Sequence, residues 1–216
     1  MEALTLWGRR NSSNVQKVLW LLDELQLEYT LAERGGAHGG LTKSDYLALN
    51  PNGRVPTLRD GELVVWESHA ILRYLAAVYS KDRLWPDDPR HRAAVDQWTD
   101  WTATRFQLAW MSVFWRVVRT PRHLQEPDII AAALEETHAC LQLLDDRLAG
   151  TEYLAGPQLS YADIAAGVSL YRWFNMPVQR KNLPNVTRWY EHLKERPAFQ
   201  ANVMVSFDDL RGRLEY

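Results

Sequence analysis

Asn50-Pro51-Asn52-Gly53-Arg54-Val55-Pro56-Thr57-Leu58, then Asp60-Gly61, then Val64-Val65-Trp66-Glu67-Ser68, is the stretch that decides the fold of this 216-residue chain. Asp60-Gly61 is a favourable turn dipeptide, so residues 56–59 and 63–65 predict a β-hairpin. Proline is tolerated at the first position of a strand, where Pro56 stands. Glu67 and Ser68 then open a helix marked by Ile71, Leu72, Leu75 and Tyr79 at helical spacing. An X-Pro bond is usually trans. A cis Val55-Pro56 bond would turn the Val55 N–H and C=O outward, to pair with an extended peptide as an added strand does. A hydroxyl and backbone N–H groups at a helix start can hold a carboxylate, and Glu67 an ammonium. The same pair also fits an ordinary helix N-terminus.

Upstream of this stretch, Ala3-Leu4-Thr5-Leu6-Trp7 predicts a strand. A polar loop, Gly8 to Ser13, leads into a helix with Val15, Val18, Leu19, Leu22 and Leu25 on one face. Ser12 or Ser13 is its natural N-cap. Residues 28–33 form a second strand, parallel to the first through a right-handed crossover. Glu33 to Gly40 is a Gly-rich loop. It is not a phosphate loop, because Leu41 follows Gly40 where a lysine is needed. With a short helix over 43–49, the first 80 residues read β-α-β-α-β-β-α, a small α/β domain.

Downstream, Lys81 to Pro89 carries two prolines and several charges and reads as a linker, residues 81–89. No strand follows. Residues 90–119 lack Pro and Gly and predict one long helix, stopped before Pro121. Further helices fit 128–149, 161–174, 185–195 and 197–205, so residues 90–216 form an all-α domain. Ser160 and Asp163 have capping-box spacing, and Leu159 and Ile164 stand where a hydrophobic staple would. This is a folding element rather than a catalytic one.

A net charge of -2, with 46% hydrophobic and 24% charged residues, gives no bulk reason to expect nucleic acid or an anionic membrane as partner. No apolar run reaches membrane-spanning length. Met1-Glu2-Ala3-Leu4 lacks a secretory pattern. The single cysteine, Cys140, excludes an internal disulfide framework and reads as a buried thiol. A reducing, cytoplasmic location is the expectation. The six histidines show no metal-ligand spacing, so no metal is expected. Ten tryptophans, four of them within 98–115, suit core and subunit-interface packing or an aromatic pocket wall.

The first loop, Arg9-Arg10-Asn11-Ser12-Ser13-Asn14, follows the carboxyl end of strand 1, where open α/β sheets bind ligands. Hydroxyls and amides at a helix start beside two arginines suit an anion. A serine nucleophile would need a base, and the loop holds no His, Asp or Glu. With no cysteine in the loop, a redox dithiol is excluded there.

Taken together these residues resemble the glutathione S-transferase superfamily over essentially the whole chain. The most specific motifs are Asn50 to Leu58 and Trp66-Glu67-Ser68-His69-Ala70-Ile71, with the Ser160–Asp163 box as a third. Trp7 to Val18 is most similar to bacterial theta/phi/zeta-related members that use a serine, threonine or asparagine in place of tyrosine. The resemblance implies a thioredoxin-like N-terminal domain (1–80), a helical domain forming the electrophile pocket, and glutathione as co-substrate. It implies a cis Pro56, with Val55 pairing with the cysteinyl backbone. Glu67 and Ser68 would hold the γ-glutamyl end, and Arg54, with His38 or Lys43, the glycyl carboxylate. The activating hydroxyl would be Ser12, with Asn14, Ser13 and Asn11 as substitutes in that order. Arg10 would favour the thiolate. Trp7, Arg10, Trp110, Met111, Phe114, Trp115 and Phe174 would wall the electrophile site. A two-fold homodimer is implied, with the Trp-rich helix and part of helix 3 at the interface. The expected activity is a glutathione transferase, including dehalogenation or glutathione-dependent reduction. The alternatives are a non-catalytic binding protein of the same fold and a zeta-type isomerase. Ser12-Ser13-Asn14 only partly matches the Ser-Ser-Cys run of the latter.

Overall fold

A computed structural model describes residues 4–80 and 84–215. The N-terminal half places β1 (Leu4–Gly8), α1 (Ser13–Glu24), β2 (Tyr29–Glu33), α2 (Ser44–Leu47), β3 (Thr57–Asp60), β4 (Leu63–Trp66) and α3 (Ser68–Tyr79) in the expected order. The sheet runs β2-β1-β3-β4, with β1 and β2 parallel and the β3–β4 hairpin antiparallel. The β1–α1–β2 crossover forces the parallel pair, and the two-residue turn at Gly61-Glu62 forces the antiparallel one. Alternation along β1 buries Leu4, Leu6 and Gly8. A Cβ on Gly8 would meet Val15 Cγ2 at 2.5 Å, so this position lets the strand end pass close under α1.

The C-terminal half is helical, as expected, but its first helix is not uniform. α4 (Pro89–Trp101) runs into a π segment (Thr102–Phe106), then α5 (Gln107–Phe114) and a second π segment (Trp115–Arg119). The expected single helix over 90–119 is therefore continuous but twice widened, which shifts the face that follows each widening. α6 (Pro127–Leu148), α7 (Tyr161–Asn175), α8 (Pro184–Lys194) and α9 (Pro197–Asn202) complete the domain. α9 ends at Asn202, short of the expected 205. Of the linker 81–89, residues 81–83 lie outside the described residues, and α4 takes up Pro89 as its first residue behind an Asp88 cap.

The halves join through α1, which packs on α3, α7 and α9. That is why α1 is buried almost all round from Val15 to Leu22. Trp20 meets Phe199 edge-on at 4.8 Å, and Arg196 donates from Nε and Nη2 to the two carboxylate oxygens of Glu24, each at 2.6 Å. The tryptophans divide between core and surface: Trp20, Trp110, Trp173 and Trp189 are buried, whereas Trp66 is exposed. Cys140 is buried and free, and burial pushes its thiol pKa up. At the start of α7 the Ser160–Asp163 capping box is present.

Candidate functional site

A cavity of about 350 Å³ opens between the two halves. The β1–α1 loop supplies Arg9, Asn11, Ser12, Ser13 and Asn14, and the turn before β3 supplies Asn52, Gly53, Arg54 and Val55. α5 adds Gln107, Met111 and Phe114, while Arg119, Arg172 and Leu210 close the far side. The Val55-Pro56 bond is cis. Among the described residues the Val55 backbone N–H and C=O make no hydrogen bond within the protein.

The turn that presents Arg54 and Val55 is held from beneath. Asn50 Nδ2 donates to the Arg54 carbonyl at 2.8 Å and to Thr57 Oγ1 at 3.1 Å, and Asn50 Oδ1 accepts from Asn52 N–H at 3.0 Å. The Tyr46 hydroxyl donates to the same Arg54 carbonyl at 2.6 Å. Both side chains are buried, so every polar atom they spend on this turn is withdrawn from water and has to be paired. Glu67 caps α3 with φ +72°, an uncommon value for a residue with a side chain. Ser68, next to it, is buried.

The four polar residues of the first loop are not equivalent. Asn11 spends its whole amide: Oδ1 accepts from Arg9 Nη1 and Nδ2 donates to Asp209. Its carbonyl accepts from Arg172 Nη2 at 2.7 Å. Ser12 occupies the N-cap of α1 but makes no side-chain capping bond. Its hydroxyl has no hydrogen-bond partner in the protein among the described residues. Ser13 is buried in the wall. Asn14 lines the cavity and also joins a polar cluster behind the loop.

Lys17 lies one turn into α1 and is fully buried. Its Nζ donates to Asn14 Oδ1 at 3.1 Å, to His69 Nε2 at 2.8 Å and to Gln107 Oε1. Burial draws its pKa down to about 7, opposed by the charge of Glu67. Burial, then Lys17 and Arg73, push His69 down to about 2, so its ring is neutral and Nε2 accepts. From about pH 7 to 10.5 the unfolded lysine holds a proton that the folded one gives up, so this residue's contribution to stability rises with pH. Relative to Lys17→Met, the wild type should gain about 2 kcal/mol between roughly pH 7 and pH 9 in urea unfolding.

Several residues expected at the site lie elsewhere. Trp7 alternates to the other face of β1, where Arg59 stacks over it at 5.1 Å. Arg10 is exposed and reaches the Tyr29 side chain, while its neighbour Arg9 turns inward. Trp110 is turned into the core. Trp115 stacks with Arg119 at 4.1 Å, and Phe174 stacks flat on Tyr190 at 4.5 Å. None of the five lines the cavity. His38 pairs with Glu33 at 3.3 Å and borders an adjoining hollow of about 780 Å³, which Arg10 also lines. Lys43 is exposed before α2 and lines neither space. Pro56, Glu67 and Ser68 do not line the cavity, although Ser68 Oγ lies 3.5 Å from Oδ1 of the lining residue Asn14.

Lys17, Gln107, Arg119 and Arg172 carry no sequence signal for the site, whereas Arg9 enters the sequence reading only as one of the first loop's two arginines and His69 only within the Trp66 to Ile71 motif. The C-terminal segment also enters: Arg119 donates to the carbonyls of Arg213, at 2.7 Å, and Glu215. Among the described residues no group of three or more His, Cys, Asp or Glu could hold a metal, and no helix is long and apolar enough to cross a membrane.

A four-stranded α/β half thus packs on a helical one, with the start of α1 and the unpaired Val55 backbone lining one cleft. "Glutathione S-transferase, N-terminal domain" matches residues 2–77, and "Glutathione S-transferase, C-terminal domain" matches residues 127–192. Glutathione S-transferase GstB of Escherichia coli is 43% identical over 204 residues, covering 94% of this chain and 98% of that protein. Glutathione S-transferase F13 of Arabidopsis thaliana is 32% identical, with 91% and 93% covered. The theta class glutathione S-transferase of Xanthomonas axonopodis pv. citri, solved with glutathione bound, superposes with a TM-score of 0.91 at 48% identity, covering 95% and 99% of the two chains. The chain belongs to the glutathione S-transferase family, and is an enzyme of that family.

Proposed function

We propose that the cleft binds glutathione with its thiol at the Ser12 hydroxyl, and activates it as a thiolate for attack on a small hydrophobic or halogenated electrophile. One observation carries this reading. The uncommitted Ser12 hydroxyl at the start of α1 and the unpaired Val55 backbone face the same cavity. The Xanthomonas relative's bound glutathione supports it. Val55 pairs with the cysteinyl backbone, Glu67 and Ser68 hold the γ-glutamyl end, and Arg54 takes the glycyl carboxylate.

A free thiol has a pKa of about 8.5, and a drop of two units corresponds to about 2.7 kcal/mol. A hydrogen bond to a charged group is worth about 1.5–3 kcal/mol, and a helix N-terminus about 0.3–2. Ser12 and α1 together therefore suffice without a general base. Met111, Phe114 and Leu210 offer the electrophile an apolar wall. Leu63, Trp66 and Val78 expose apolar surface near the hairpin and α3, which a second copy would cover in a two-fold dimer.

Calorimetric titration of glutathione into the protein tests the reading, followed by a panel of alkyl and aryl halides. Binding below millimolar concentration and turnover of at least one halide are expected. No heat of binding at millimolar glutathione would sink it.

A further inference from the structure

Asn14 Oδ1 is surrounded. It accepts from Lys17 Nζ at 3.1 Å, from Gln107 Nε2 at 3.3 Å and from Ser68 Oγ at 3.5 Å. A lysine ammonium can only donate, so the carboxamide oxygen must be the atom that faces it. The other end of the amide, Nδ2, has no acceptor within the protein among the described residues, yet Asn14 lines the cavity.

We propose that Lys17 is a positioning residue of the thiol site: its buried ammonium grips Asn14 Oδ1 from below, and so turns the Asn14 amide N–H groups toward the sulfur as a second thiolate donor beside Ser12. The inference rests on the glutathione reading of the cleft. Three helices are needed to build it. α1 supplies Asn14 and Lys17, α3 supplies His69 and Ser68, and α5 supplies Gln107 directly after the first π segment.

The grip has two consequences. A carboxamide held by its oxygen has lost the freedom to flip and present that oxygen, which would repel a thiolate. A buried cation behind the amide also favours the anion in front of it, because the low local dielectric leaves the charge poorly screened. The charged and titratable groups facing Lys17 are Glu67 at the cap of α3 and the neutral His69, on which Arg73 of α3 also acts. Arg73 is in turn paired with Asp96 and Asp100 of α4. Lys17 is drawn toward neutrality at about pH 7, so its help to the thiolate is strongest below that pH and fades above it.

The ionisation of bound glutathione is followed by thiolate ultraviolet absorbance against pH, in the wild type and in Lys17→Met. In the variant the bound thiol pKa should rise by about one unit, and kcat should fall about threefold at pH 7 and approach a tenfold loss at lower pH. Affinity for S-methylglutathione, which has no thiol to ionise, should change less than about threefold. A folded Lys17→Met with an unchanged thiol pKa overturns the assignment. If that variant does not fold, the wild type decides: the Asn14 side-chain amide resonances should move on binding glutathione in step with thiol ionisation, and much less with S-methylglutathione. Resonances indifferent to both overturn the proposal. Failure of the wild type to bind glutathione at all overturns the reading of the cleft as well, so the two failures are distinct.

Discussion

Asp163→Ala should lower the unfolding free energy by about 3 kcal/mol, read as a lower urea midpoint at unchanged slope. The carboxylate is fully buried, and both of its oxygens are in use. Oδ1 accepts from Leu154 N–H at 2.8 Å, while Oδ2 accepts from Ser160 N–H at 2.9 Å and from Ser160 Oγ at 2.8 Å. Truncation orphans two buried N–H groups, each costing about 1–3 kcal/mol. Part of that loss is offset because the carboxylate itself is costly to bury, which pushes its pKa up to about 6 against the pull of those same hydrogen bonds. Asp163→Asn should recover only part of the loss. An amide offers one acceptor oxygen, and whichever N–H faces its NH2 group is left opposed. A loss of about 3 kcal/mol is a large share of the 5–15 typical of a domain. An Asp163→Ala protein as stable as the wild type would show that the box is not a folding element.

Ser12→Ala should lower kcat with a saturating electrophile by about a hundredfold, the usual cost of removing one donor to a developing anion. Its affinity for glutathione should change less than about threefold, since Val55, Glu67 and Ser68 are untouched. The structure makes this variant a clean probe. The Ser12 hydroxyl does not cap α1, so its removal should cost under about 0.5 kcal/mol of stability, and a rate loss would be chemical rather than structural. An unchanged kcat would transfer the activating role to Asn14. Asn11 is not the next choice, because Arg9 and Asp209 already consume both ends of its amide.

The order of elements was legible because its signals are local. Asp60-Gly61 specifies a hairpin from two residues, Ser160 and Asp163 specify a helix start from four, and the apolar spacing of α1 and α3 spans a dozen. The resemblance carried by Asn50 to Leu58 and Trp66 to Ile71 pointed to Val55, which lines the cavity, and to Ser68, which touches Asn14 of its wall. Of the expected wall, Met111 and Phe114 line the cavity, but four other aromatic residues do not, for the opposite reason. Trp7, Trp110, Trp115 and Phe174 are the bulkiest residues near the right sequence positions, but size does not say which way a side chain points. Trp110 is turned into the core, and Trp115 and Phe174 spend their faces on Arg119 and Tyr190.

Lys17 shows the same limit in a sharper form. Within the run Val15 to Leu22 it reads as the polar side of an amphipathic helix. It is buried because a second domain covers that side, and its partners His69 and Gln107 lie 52 and 90 residues away. Residues 50–68, by themselves, determined the hairpin and the helix that follows, since turn chemistry and helix starts are set by near neighbours, while the kind of ligand came with the family resemblance. Only the tertiary structure decided which polar atoms of residues 11–14 are free to meet that ligand. That choice depends on which donors and acceptors other helices bring up behind the loop, and those contacts exist only once the two domains have packed.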